Sequence, residues 1–122
     1  GDHGSTFGGN PLACAVAREA LKVIEDEKLI EKSLFMGHYL KESLRNILSP
    51  YVKEVRGMGL LIGVELKKSA GGARKFCETL MEKGILCKET HKHVIRFAPP
   101  LTITKEELDW ALDRIESVLT VP

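Results

Sequence analysis

Leu60, Ile62, Val64 and Leu66 occupy every second position of one short run, with Leu61, Gly63 and Glu65 between them, and this alternation limits the chain to few folds. Successive side chains of a strand point to opposite faces, so the run is a strand with one well-buried apolar face. A strand of that kind needs neighbours at its edges and a layer over its face. A shorter strand, 52–56, precedes it across the break Gly57-Met58-Gly59, and strand-like runs at 85–88 and 94–98 follow it, the second stopped by Pro99-Pro100. Consecutive strands with short breaks predict antiparallel pairing.

The covering layer is predicted from helical spacing. Asn10 followed by Pro11 is a helix start, with Asn10 as N-cap and Pro11 in the first turn. Leu12, Val16, Ala20, Val23 and Ile24 then recur along a helix to about residue 27. A second helix spans roughly 29–48, with a stripe of Ile30, Leu34, Gly37, Leu40, Leu44 and Ile47-Leu48. Gly37 on that stripe costs about 1 kcal/mol against alanine, which predicts that another element approaches closely there. Ala73, Phe76, Cys77 and Leu80 mark a third helix, with Gly84 at its C-terminal end. Thr104 and Glu107 form a capping box for a last helix whose stripe is Leu108, Ala111, Leu112, Ile115 and Leu119. The order of elements predicts an α+β layer arrangement, an antiparallel sheet covered by helices on one face. No internal repeat or low-complexity stretch interrupts it.

With 122 residues the chain holds one domain, or one domain and a piece of another. No apolar run approaches the length of a membrane-spanning helix. Eighteen basic and seventeen acidic residues are interspersed, which argues against a nucleic-acid surface. Cys14, Cys77 and Cys87 are an odd, sparse set that fits a reducing compartment better than a disulfide framework. The N-terminal residues lack the basic and apolar regions of a signal peptide. The chain opens without methionine inside a glycine-rich loop, which predicts a portion of something longer.

Three places could carry chemistry. Gly4-Ser5-Thr6-Phe7-Gly8-Gly9-Asn10 combines exposed backbone N–H groups with two hydroxyls ahead of a helix, a combination able to hold a phosphate. It is neither a Walker loop nor a dinucleotide fingerprint, and by composition alone it also reads as a linker. Arg96 lies at the end of a strand, opposite in face to Ile95 and Phe97 and braced by Pro99-Pro100. There it could offer a planar fork to a carboxylate, or simply be a surface arginine. Cys87, His91 and His93 lack the paired spacing of zinc sites and read as a loop between strands, so no metal is expected. Trp110 lies off the stripe of the last helix, as an interface residue or a partly exposed one.

Read in order, these segments resemble the class III pyridoxal-phosphate-dependent aminotransferases. Residues 1–13 resemble the loop and helix start of that class, Val55-Arg56-Gly57-Met58-Gly59-Leu60-Leu61-Ile62-Gly63-Val64-Glu65 its small-domain hairpin, and Arg96 with Pro99-Pro100-Leu101 its substrate-arginine region. Cys87-Lys88-Glu89-Thr90-His91 and 95–100 look most like the ornithine branch of the class. The resemblance implies the C-terminal portion of a fold-type I enzyme. Residues 1–10 would be the cofactor-phosphate loop of the large domain, 11–29 a connecting helix and 30–122 the C-terminal small domain. It also implies a cytoplasmic homodimer with active sites at the subunit interface. Ser5 and Thr6 would reach the phosphate of pyridoxal 5′-phosphate in the neighbouring subunit, and Arg96 would bind the α-carboxylate of 2-oxoglutarate or glutamate. The Schiff-base lysine would lie upstream of Gly1, so these residues would be inactive alone. The implied reaction moves the δ-amino group of L-ornithine to 2-oxoglutarate, giving glutamate and glutamate 5-semialdehyde, which leads toward proline metabolism. Acetylornithine or 4-aminobutyrate aminotransferases, and a non-catalytic α+β binding module, are the alternatives.

Overall fold

The computed structural model describes residues 1–121 as two compact units, one covering Gly1–Ile30 and the other beginning at Glu31. In the first unit, helix α1 spans Pro11–Asp26. Asn10 caps it as expected: its side-chain oxygen accepts from the Ala13 N–H at 2.9 Å. Every apolar residue of its stripe stays at least partly in water, with Leu12, Val16 and Leu21 more than 60 % exposed.

The remaining elements are α2 (Leu29–Arg45), β1 (Val52–Met58), β2 (Leu61–Leu66), a 3-10 turn at Lys68–Ala70, α3 (Arg74–Glu82), β3 (Lys88–Thr90), β4 (Val94–Phe97) and α4 (Lys105–Leu119). The four strands form one antiparallel sheet in the order β1-β2-β4-β3. Two hairpins, β1–β2 and β3–β4, meet along β2 and β4. The connection from β2 to β3 runs through α3, which is why the later strand of the second hairpin takes the central position.

The alternation at 60–66 is realised as expected. Leu60, Ile62, Val64 and Leu66 are buried, and they join Val55, Ile95 and Phe97 in one core. Met36, Leu40 and Leu44 of α2, Phe76 and Leu80 of α3, and Leu108, Ile115, Val118 and Leu119 of α4 complete it. Each fully buried aliphatic side chain contributes on the order of 1.5–3 kcal/mol. The opposite, open face of the sheet carries no helix-derived core among the described residues.

Several boundaries differ from the sequence expectation. The first strand does not stop at Arg56. Gly57 (φ +149°) pairs with Ile62 and Met58 with Leu61, so Gly59 (φ +54°) and Leu60 form a two-residue turn. The third strand starts at Lys88 rather than at 85, because Ile85 is held to the end of α3 by its N–H on the Leu80 carbonyl. α2 ends at Arg45, and Ile30, Leu34 and Leu48 of its expected stripe are exposed. Met36 takes their place, because the contact that orients the helix is Gly37 against the Gly59 turn. A Cβ on Gly37 would lie 2.0 Å from the Gly59 carbonyl oxygen.

Gly84 (φ +90°) ends α3 and also leaves room for the Trp110 ring, which a Cβ there would meet at 3.2 Å. Arg114 stacks on that ring, its guanidinium carbon 3.6 Å from the centroid. Trp110 is partly exposed, its ring held between Gly84 and Arg114. The capping box of α4 forms as expected, with the Thr104 hydroxyl accepting from Glu107 N and the Glu107 carboxylate accepting from Thr104 N.

Candidate functional site

Ser5 and Thr6 lie in the first unit and Arg96 in the second. The Ser5 hydroxyl oxygen accepts from the Gly8 N–H at 3.0 Å, closing a turn that a Cβ on Gly8 would press at 3.1 Å from the Ser5 Cβ. Asn10 donates to the Phe7 carbonyl at 2.6 Å and fixes the end of the loop on α1. Both hydroxyls are exposed. Ser5 uses only a lone pair in its turn, and Thr6 has no hydrogen-bond partner among the described residues, so both retain an O–H to donate to an anion. Short side chains, glycines and free hydroxyl protons fit a phosphate group.

On the open face of the second unit, sheet register sets Arg56 of β1, Gly63 of β2 and Arg96 of β4 in one transverse row. The two arginines look alike in sequence, but their surroundings differ. Arg56 is occupied: its Nη1 lies 2.6 Å from Glu65 and 3.2 Å from Glu54. The Arg56 hydrogen bond, aided by Lys53 at 3.1 Å, holds the Glu65 carboxyl below its usual range. Arg96 is exposed, flanked in sequence by buried Ile95 and Phe97, and it has no ion pair or side-chain hydrogen bond among the described residues. Its strand is anchored on both edges, so the guanidinium projects from a fixed backbone. A free planar fork on a rigid strand suits a carboxylate.

Arg96 lines a depression of about 200 Å³ with Leu86, Cys87, Lys88 and Ala98. Complete small-molecule sites enclose roughly 300–1,000 Å³, so this depression alone is too small to be one. Three roomier grooves lie elsewhere on the described residues. One, of about 370 Å³, is apolar and includes a single ionisable side chain, Glu107, already used in the capping box. Another, of about 450 Å³, holds the Arg74–Glu78 ion pair, two cysteines, Glu89 and also Lys88. A third, of about 310 Å³, is lined by Tyr51, Phe76 and Val118 together with Lys75 and Lys83.

Burial, followed by the neighbouring Cys77, pushes the Cys87 thiol up to about 12. It stays protonated at neutral pH and is a poor nucleophile or metal ligand. His91 and His93 belong to the turn between β3 and β4, with His91 (φ 48°) and Lys92 (φ 63°) in the left-handed region. Sequence reasoning passed over Lys88, which the hairpin register sets directly beside Arg96.

These residues occur in a recognisable company. A family model, Aminotransferase class-III, matches residues 1–119. The chain belongs to that family. It is 62 % identical over 119 residues to the ornithine aminotransferase of Bacillus subtilis, covering 98 % of this chain and 29 % of that protein. Among solved structures, the ornithine aminotransferase of Toxoplasma gondii superimposes with a TM-score of 0.88 at 48 % identity, over 98 % of this chain and 29 % of that one. The acetylornithine aminotransferase of Elizabethkingia anophelis gives 0.88 at 41 % identity, over 98 % and 32 %. The chain thus spans less than a third of the length of these class-III relatives. Its α+β fold is that of part of a pyridoxal-phosphate aminotransferase.

Proposed function

We propose that these residues are the C-terminal part of an ornithine aminotransferase. The full-length homodimer would transfer the δ-amino group of L-ornithine to 2-oxoglutarate, giving glutamate 5-semialdehyde and glutamate. The observation that carries this reading is Arg96, a fixed guanidinium on the open sheet face with no carboxylate partner among the described residues. The choice of ornithine is supported by the 62 % identity to the Bacillus subtilis protein.

In this reading residues 1–10 are the cofactor-phosphate loop of the large domain, 11–29 the connecting helix and 30–122 the small domain. Pyridoxal 5′-phosphate supplies the electron sink for bond breaking at the amino-bearing carbon. Ser5 and Thr6 donate their hydroxyl protons to its phosphate across the subunit interface, where glycines let the backbone pass. Arg96 receives the α-carboxylate of 2-oxoglutarate or glutamate and orients the acid. The uncovered apolar stripe of α1 supports a larger assembly, since exposed apolar faces mark contact surfaces. Free cysteines, and the lack of any described helix long and apolar enough to cross a membrane, are consistent with a cytoplasmic enzyme.

Substrate profiling of the full-length enzyme tests the reading. Ornithine is expected to be the preferred donor over N-acetylornithine and 4-aminobutyrate, and a preference for N-acetylornithine would move the protein to the neighbouring branch. No lysine of this chain lies in the context of the cofactor-linking one, so the 122 residues alone are expected to form no glutamate from ornithine and 2-oxoglutarate. Turnover above the free-cofactor background would contradict this. Thr6→Val in the full-length enzyme removes one charge-assisted hydrogen bond to a phosphate, worth on the order of 1.5–3 kcal/mol. Cofactor affinity is expected to fall roughly tenfold to a hundredfold, as read by equilibrium dialysis. Unchanged affinity would return the loop to a linker.

A further inference from the structure

The row that carries Arg96 has a fourth position. Lys88 of β3 pairs with Arg96, which pairs with Gly63, which pairs with Arg56. Residues paired across antiparallel strands share a face, their Cβ atoms about 4.5–5.5 Å apart. Three cations therefore share one row of the open face. Only Arg56 is neutralised, by Glu54 and Glu65, and Glu65 also holds Lys53. Glu89 pairs with Ile95 and so faces the other side of the sheet. Among the described residues, neither Lys88 nor Arg96 has an acidic partner. Like charges placed directly opposite each other on a sheet cost stability. Both nevertheless line the same depression, together with Leu86, Cys87 and Ala98.

We propose that Lys88 is a second carboxylate-binding residue, acting with Arg96 on the same substrate carboxylate. The inference rests on the reading of Arg96 as the substrate arginine. The two groups are complementary. Arg96 offers a planar fork that fixes orientation, and Lys88 offers a compact point charge whose ammonium can move to meet either oxygen. An anion between them converts a repulsive pair into a bridged one.

The test uses the full-length enzyme with Lys88→Gln, Lys88→Arg and Arg96→Lys, and glutarate as an unreactive competitor of 2-oxoglutarate. Lys88→Gln is expected to raise the KM for 2-oxoglutarate and the Ki for glutarate about tenfold, the size of one lost charge-assisted contact. The kcat should stay within about twofold and the melting temperature should not move, since Lys88 is exposed. Lys88→Arg should restore most of the affinity. Unchanged glutarate binding in Lys88→Gln, with weakened binding in Arg96→Lys, overturns the role of Lys88 and leaves Arg96 in place. Unchanged binding in both variants removes the two together. Equal losses toward ornithine and 2-oxoglutarate with a lower melting temperature make Lys88 a structural residue and also overturn the proposal.

Discussion

Arg96→Ala in the full-length enzyme is expected to slow the half-reaction with 2-oxoglutarate far more than the half-reaction with ornithine. Removing one partner of a desolvated charge pair costs ~2–5 kcal/mol, or roughly 30-fold to several thousandfold in kcat/KM. The upper part of that range applies once substrate and the remainder of the site exclude water, since Arg96 is exposed within this chain. Ornithine offers its δ-amino end to the cofactor, so its α-carboxylate lies elsewhere and its half-reaction should lose less. Arg96→Lys keeps the charge but not the fork and should fall between wild type and alanine. Single-turnover measurements run separately with the two substrates decide the matter. Equal losses in both directions, with a lower melting temperature, would make Arg96 a structural residue.

The second large effect is on stability. Gly37→Ala should destabilise the protein by about 3 kcal/mol or more, although alanine is the better helix former by about 1 kcal/mol. The added methyl would lie 2.0 Å from the Gly59 carbonyl oxygen and 2.3 Å from its carbon. Both are backbone atoms of a tight turn, so no side chain can swing away. The turn has little slack on its other side, because a Cβ on Gly59 would meet the Ser33 hydroxyl at 2.5 Å, and that hydroxyl accepts from Leu60 N at 3.2 Å. Urea unfolding should show a lower midpoint with an unchanged slope. A Gly37→Ala protein as stable as wild type would show that helix and turn do not meet in solution.

Features encoded by near neighbours were legible in the sequence. The alternation at 60–66, the Asn10 cap and the Thr104–Glu107 capping box each involve residues a few positions apart, and each is present. Gly37 was legible as a close-approach position, but its partner Gly59 was not, because a helix stripe names a face and not what meets it. For the same reason the expected stripe of α2 included Ile30 and Leu34, which the rotation fixed at Gly37 leaves exposed. The open face was the least legible part. Arg56 and Arg96 are both strand arginines beside apolar residues, and only register reveals that Glu65 lies next to the first and Lys88 next to the second. Pairing partners tens of residues apart leave no mark in local periodicity.

The bare stripe of α1 has a consequence for how such a protein is made. Residues from Glu31 onward close a core of their own, whereas α1 buries none of its apolar side chains. During synthesis its sticky side stays wet until other parts of the assembly or a second subunit cover it. This segment is then the natural handhold for a chaperone, and the first place where crowded nascent chains would stick to one another.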